Sequence, residues 1–193
     1  VSTDGGTFLK NKRLQPPNRM EADLSTITPV QSARVHIRWM IRRDLPEVLT
    51  IEDSNTDFPW NESLFLRCLR QRNCIGMVAE KDGCILGFMI YELHKYKLQI
   101  LNLAVHPDFQ RQAIASQMIC KLKSKLSEKK RACIGVELRE TKLSSHLFFQ
   151  SQSFTATDVL RNHFTDSDED AYLMQFSCAV PAETKNITSA LGS

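Results

Sequence analysis

The chain has no C-x-x-C pair, although it carries six cysteines. Cys68, Cys74, Cys84, Cys120, Cys133 and Cys178 are scattered, most of them inside apolar stretches. That scatter does not fit a zinc or disulfide framework. It reads as reduced core thiols in a cytosolic protein, with no metal site expected. There is no apolar run long enough to span a bilayer. The opening segment, VSTDGGTFLKNKRLQPPNRMEADLS, lacks the apolar core of a secretion signal. Membrane association is therefore not expected, and the expected compartment is the cytoplasm. Nor is there a strong excess of one charge. Lys and Arg number 25 against 22 Asp and Glu, a formal net charge of +3. So even a balance gives no basis for direct nucleic-acid binding, though it does not oppose an acidic ligand. No internal repeat is visible.

What is present is a dense apolar pattern between two polar ends. Residues 1–33 are rich in Ser, Thr, Pro, Gly and charge and read as a flexible leader. Residues 179–193 read as a similar tail, leaving 34–178 as one domain. Within it, RVHIRWMI (Arg34 to Ile41) alternates like a strand. Asp44 is expected to cap a helix, with Pro46 in its first turn and Glu47 three residues after the cap. Asn61 opens a second helix whose apolar face is Leu64, Phe65, Cys68 and Leu69. IGMVAEKDGCILGFMIYEL is a hairpin turning at Lys81-Asp82-Gly83, where Gly83 takes positive φ. KLQILNLAV is a strand apolar enough for burial on both faces. A helix from about Ala113 to Ser127 follows, with Ile114, Met118, Leu122 and Leu126 four apart and lysines at its end. ACIGVELR is the next strand. A helix around Ser144 to Ser151 and strands near Val159–Phe164 and Ala171–Phe176 close the domain. The order β-α-α-β-β-β-α-β-α-β-β is a mixed α/β fold without regular βαβ alternation.

HPDFQRQAIASQMI (His106 to Ile119) joins the buried strand to the third helix. The first amides of a helix lack internal partners and sit at the positive end of its dipole, so Gln110 to Ser116 with Arg111 could cradle a phosphate. An ordinary strand-to-helix connection explains the same residues. A nucleotide-binding α/β domain would use the same helix start. No acidic ribose-binding position or P-loop lysine supports it.

NLAVHPDFQRQAIA resembles the acetyl-CoA-binding motif of the Gcn5-related N-acetyltransferases, whose signature is Q/R-x-x-G-x-G/A. The element order is also similar to that family's. The likeness extends to the ribosomal-protein-alanine N-acetyltransferase branch, through DLPEVLTIEDSNTDFPWNESLF, VELRETKLSSHLFFQSQSF and RNHFTDSDEDAYLMQF. It covers about Arg34 to Phe176. The fold it implies is a mostly antiparallel sheet, splayed at the cofactor site, with helices on both faces. The activity it implies is acetyl transfer from acetyl-CoA to a protein N-terminus, such as that of a ribosomal protein. Lysine and small amines are alternative acceptors.

Carried over by position, the resemblance implies that Leu103, Ala104 and Val105 hold the pantetheine arm through backbone groups. One of their N–H groups would face the thioester oxygen. Arg111, Gln112, Ala113, Ile114, Ala115 and Ser116 would hold the pyrophosphate. Glu137 matches the family's base, which implies a buried carboxylate facing the thioester. Read without the resemblance, it faces solvent or pairs with Arg139. Phe58 and Trp60 fall in a loop that forms one wall of the family's acceptor groove, or they close a core. The acidic run Asp166, Asp168, Glu169 and Asp170 reads as a solvated turn, or as an attractor for a basic acceptor.

Four positions depart from the family. Ala113 replaces a glycine. At positive φ this would cost roughly 1–2 kcal/mol, and at helical φ almost nothing. Because it leads into a helix, helical φ is expected. Lys142 replaces a cofactor-contacting asparagine and reaches the cofactor or is solvated. Phe149 replaces the tyrosine that protonates the leaving thiolate, a role it cannot take. Ser153 replaces a glycine. These changes leave open a related binding module with little turnover.

Overall fold

The computed structural model describes residues 33–178 apart from Lys129 and Thr165. The leader (all but its last residue) and the tail expected from the sequence lie outside that range. The elements are β1 (His36–Trp39), α1 (Leu45–Asp53), α2 (Glu62–Leu69), β2 (Cys74–Lys81), β3 (Cys84–Leu93), β4 (Lys97–Val105), α3 (Ile114–Lys123), β5 (Cys133–Arg139), α4 (Leu143–Ser151), β6 (Thr155–Phe164) and β7 (Glu169–Ser177). Short 3-10 turns precede α1 and α3. The strands form one sheet in the order β1-β2-β3-β4-β5-β7-β6. Every neighbouring pair is antiparallel except β4 and β5.

Alternation along the central strands builds a core on each face. On β3, Phe88 and Ile90 join Val48 and Ile51 of α1 and Phe65 of α2. Met89 and Tyr91 point the other way, toward Ile114, Met118 and Leu122 of α3 and Phe149 of α4. The β2–β3 hairpin turns through Asp82 (φ 51°) and Gly83 (φ 83°), the left-handed pair such a two-residue loop requires. Asn61 caps α2, its side chain accepting from the Leu64 N–H at 2.9 Å.

Several local expectations are corrected. Asp44 does not cap α1. It is itself helical (φ −78°, ψ −16°) because the preceding 3-10 turn runs straight into the helix, and a capping residue needs extended backbone. Its buried carboxylate instead accepts from the Ile41 N–H (2.8 Å) and pairs through both oxygens with Arg38 (2.6 and 2.9 Å). Glu47 bonds the Ile85 N–H at 3.0 Å, tying α1 to β3. The third helix starts at Ile114 and stops at Lys123, although Leu126 continues its apolar spacing and packs on the core from beyond the helix end. Of the six cysteines, all free thiols, only Cys68 and Cys74 are buried; Cys84 and Cys120 are exposed.

Candidate active site

Strands β4 and β5 pair from Lys97–Cys133 to Ile100–Val136 and no further. Beyond that point β4 stays with β3 up to Val105, and β5 stays with β7 up to Arg139. The facing edges of Leu101–Val105 and Glu137–Arg139 therefore separate. An irregularity in the β3–β4 register, where Ile90 pairs with Asn102 but Tyr91 with Ile100, leaves Leu101 unmatched at the point of divergence. Bulges of this kind bend a strand and strengthen its twist. The split opens on a cavity of about 240 Å³. Its wall brings together Leu103, Ala104, Glu137, Lys142, Phe149, Phe58 and Trp60. Val105 and the turn at Arg111–Ser116 are not in that wall.

Glu137 is not buried. It is the outward position in an otherwise apolar strand, with 39% of its side chain exposed. Its Oε2 lies 3.1 Å from the His163 imidazole Nε2 on β6, and its Oε1 lies 3.5 Å from the amide of Gln99. Gly135 makes room for that amide, since a Cβ there would meet Gln99 Oε1 at 2.6 Å. Glu137 does not pair with Arg139. The Arg139 guanidinium contacts Asp166 (2.6 Å) and Glu169 (2.8 Å). It also lies 4.6 Å from the ring centre of Phe58 and 4.0 Å from that of Phe164, within the range of cation–π attraction. One cation thus joins the Phe58 loop to the β6–β7 hairpin.

The acidic run is a solvated turn only in part: Asp166 and Asp168 are exposed, whereas Glu169 and Asp170 are drawn into contacts. Glu169 is held down to about 2, first by the Thr141 hydroxyl and then by Arg139. Asp170 accepts from the Asn162 N–H and pairs with Arg161. Charges occupied in this way have little left for a basic acceptor.

Phe149 is buried at 4% exposure and packs edge-on to Phe148 and Phe154 while lining the cavity. No tyrosine is in the cavity wall. Tyr91 is buried in the core, Tyr96 is exposed, and Tyr172 packs edge-on to His146. Lys142 precedes α4 with its Nζ 3.7 Å from Asp57.

Ala113 is the clearest correction. It is left-handed (φ 60°, ψ 18°), as are Arg111 (φ 62°) and Ser153 (φ 62°). At Ala113 and Ser153, where the resemblance implies glycine, the glycine conformation persists under a side chain. Left-handed residues at 111 and 113 on either side of Gln112 turn successive amides to one side, the geometry of an anion-binding concavity. Among the described residues, the N–H groups from Arg111 to Ser116 have no acceptor. The Ile114 side chain belongs to the core, and Ser116 Oγ accepts from Gln152 at 3.2 Å. Among the described residues, this turn leaves its backbone amides and Arg111 without a protein partner.

Glu52 and Asn102 escaped the sequence reading. Glu52 is 3% exposed and lines the cavity. Its Oε1 accepts from the Trp60 N–H (3.0 Å) and from Asn102 Nδ2 (2.9 Å). Burial raises its pKa, and those two donors only partly oppose the shift. The signal was its place on the inner face of α1 beside Leu45, Val48 and Ile51, where a carboxylate interrupts an apolar stripe.

Residues 72–156 match the profile of the acetyltransferase (GNAT) domain. The [ribosomal protein bS18]-alanine N-acetyltransferase of Escherichia coli K12 is 28% identical over 133 residues, 68% of this chain and 89% of that protein. The crystal structure of the E. coli ribosomal-protein-S18-alanine N-acetyltransferase superposes with a TM-score of 0.67 at 25% identity, over 78% of this chain and 98% of that one. Arabidopsis thaliana NAA60, crystallised with acetyl-CoA, shares the fold (TM-score 0.65, 15% identity, 75% of this chain and 99% of that one). No helix among the described residues is long and apolar enough to cross a membrane.

Proposed function

We propose that this chain, which belongs to the Gcn5-related N-acetyltransferases and is an acetyl-CoA-dependent N-acetyltransferase, acetylates the α-amine of a protein N-terminus. The acceptor class carried by this reading is a ribosomal protein, which the E. coli relative's name states of that relative. The observation that carries it is the cleft where β4 leaves β5, with Glu137 on one lip and unpaired backbone on the other.

Acetyl-CoA supplies a thioester carbonyl to be attacked. The amides of Arg111 to Ser116 and the Arg111 guanidinium hold its diphosphate. The open edge at Leu103, Ala104 and Val105 aligns the pantetheine arm and offers an N–H to the carbonyl oxygen. Lys142 stands at the cavity wall with its ammonium 3.7 Å from Asp57, and would meet the cofactor from there. Phe58 and Trp60 flank the incoming peptide end.

Amide formation needs a neutral amine. An α-amine titrates near about 8 and a lysine near about 10.4, so near neutral pH the N-terminus loses its proton more easily. Glu137 takes that proton directly or through a water, while Gln99 and His163 hold its two oxygens. The nitrogen bonds to the acetyl carbon and gives up its second proton to solvent, the carbon–sulfur bond breaks, and the thiolate leaves. Phe149 has no proton to give, so the thiolate takes one from solvent; a thiol of pKa about 8.5 is a tolerable leaving group.

Mass spectrometry after incubation with acetyl-CoA and paired peptides tests this reading. One peptide has a free α-amine and blocked lysines; the other has the reverse. Acetylation confined to the first is expected, and acetylation confined to lysine overturns the choice of acceptor. Phe149 and the strained Ala113 favour a second reading, a CoA- and peptide-binding relative with little turnover. It requires CoA binding without product on either peptide.

A further inference from the structure

A carboxylate almost wholly removed from water needs a cation or several donors. Glu52 has two donors, and both bond Oε1. Among the described residues Oε2 receives no hydrogen bond, and no Lys, Arg or His pairs with Glu52. The charge that bears on it is Asp53, of like sign. No buried side-chain N or O among the described residues lacks a partner. Oε2 is therefore not sealed inside the protein and opens on the cavity that Glu52 lines. The two cations of that wall are engaged elsewhere, Arg139 with Asp166 and Glu169 and Lys142 with Asp57, and Asn55, Thr56, Trp60 and Asn102 bring none.

We propose that Glu52 is the seat of the acceptor's amino group: Oε2 receives the substrate's primary ammonium as a charge-assisted hydrogen bond, before Glu137 removes a proton from it. The inference rests on the transferase reading above and adds a second carboxylate with a separate task. Oε1 fixes the wall, tethering the loop at Trp60 and the irregular segment of β4 at Asn102. Oε2 meets the ligand. Glu52 keeps its charge throughout, and the proton leaves through Glu137. An unoccupied seat leaves a buried anion uncompensated, a condition that folds tolerate where a cation is to be bound.

The test uses the CoA-loaded protein with ¹³C-labelled glutamate side chains. L-Alaninamide is the α-ammonium probe, N-acetyl-L-alaninamide the uncharged control, and Glu52→Gln assigns the Glu52 carboxyl resonance. A saturable shift of that resonance with L-alaninamide alone is expected. No shift, or equal shifts with both compounds, overturns the proposal.

Kinetics give a second readout. Glutamine keeps an oxygen for Trp60 and Asn102, so a purely structural role survives Glu52→Gln. Loss of a charged hydrogen bond instead raises the KM for the amine by about tenfold to a hundredfold, more than it lowers kcat. Glu52→Asp recovers part of the loss. Transfer by Glu52→Gln with the KM of the unmodified chain removes the seat and leaves the transferase reading standing. Binding of L-alaninamide at Glu52 without any acetyl transfer does the reverse.

Discussion

The proposed acceptor cleft and the proposed cofactor turn depart from the ordinary in opposite ways. In the cleft the unusual feature is charge. Among the described residues Glu52 is buried without a counter-ion, while Glu137, the first residue of β5 past the parting of the strands, is partly in solvent beside an imidazole. In the turn the charges are ordinary and the unusual feature is conformation, with Arg111 and Ala113 held at positive φ. A site that must recognise an amine concentrates its cost in side chains. A site that must present amides to a diphosphate concentrates it in φ and ψ. Substitutions that relieve one region should leave the other unchanged.

The largest effect expected from the cleft is on turnover. Glu137→Gln should lower kcat by about 10²–10⁴-fold and leave CoA affinity by calorimetry unchanged. Unaltered kcat would take the base role from Glu137. Phe149→Tyr is smaller. Its side chain already borders the cavity, so an added hydroxyl would offer the departing sulfur an acid, and kcat should rise by up to about 10²-fold, the low end of what a positioned acid contributes. Equal rates for the two proteins would mean that solvent protonates the thiolate without loss.

Element order, the two-faced core and the hairpin at Gly83 were legible because they follow from periods of 2 and 3.6 and from turn chemistry. The cleft's backbone half was legible only through resemblance, since nothing in NLAV itself says that β4 parts from β5 after Ile100. Glu137 was singled out through the resemblance, which implied burial, whereas the reading from the residues alone had it facing solvent; it is the one position of CIGVELR turned outward. Glu52 went unnoticed for the complementary reason: a polar residue in a short amphipathic helix is read as its solvent face. Ala113 was misjudged because a residue just before a helix is taken to share its conformation. The turn geometry overrode propensity there, as it did at Ser153, where the chain leaves α4 with the Phe154 N–H bonding back to Phe149.

Glu52→Gln separates the regions by stability. Burial raises the pKa of Glu52 in the folded chain, so the folded state binds a proton more tightly than the unfolded one. Stability linked to this group is full below the ordinary glutamate range and is lost as pH climbs through the raised folded-state value. Glutamine does not titrate. The variant should match the parent at acid pH and exceed it by about 1 kcal/mol, roughly 3 °C in Tm, once Glu52 is ionised. Melting curves across pH decide this. A gain that is independent of pH would mean that repacking, not charge, is responsible.

Ala113→Gly is the smallest change and bears on the other region. Relief of the left-handed alanine favours the variant by roughly 1–2 kcal/mol, and the greater freedom of glycine in the unfolded chain returns about 0.4–1 kcal/mol. A net gain of about 0.5–1 kcal/mol in denaturant unfolding is expected. Because no side-chain charge changes, the gain should be the same at acid and neutral pH. The methyl also leaves the mouth of the amide concavity, so CoA should bind more tightly while the KM for the amine stays fixed. A shift in the amine KM would mean that the turn and the cleft are coupled, and the contrast between a conformational site and an electrostatic one would fail.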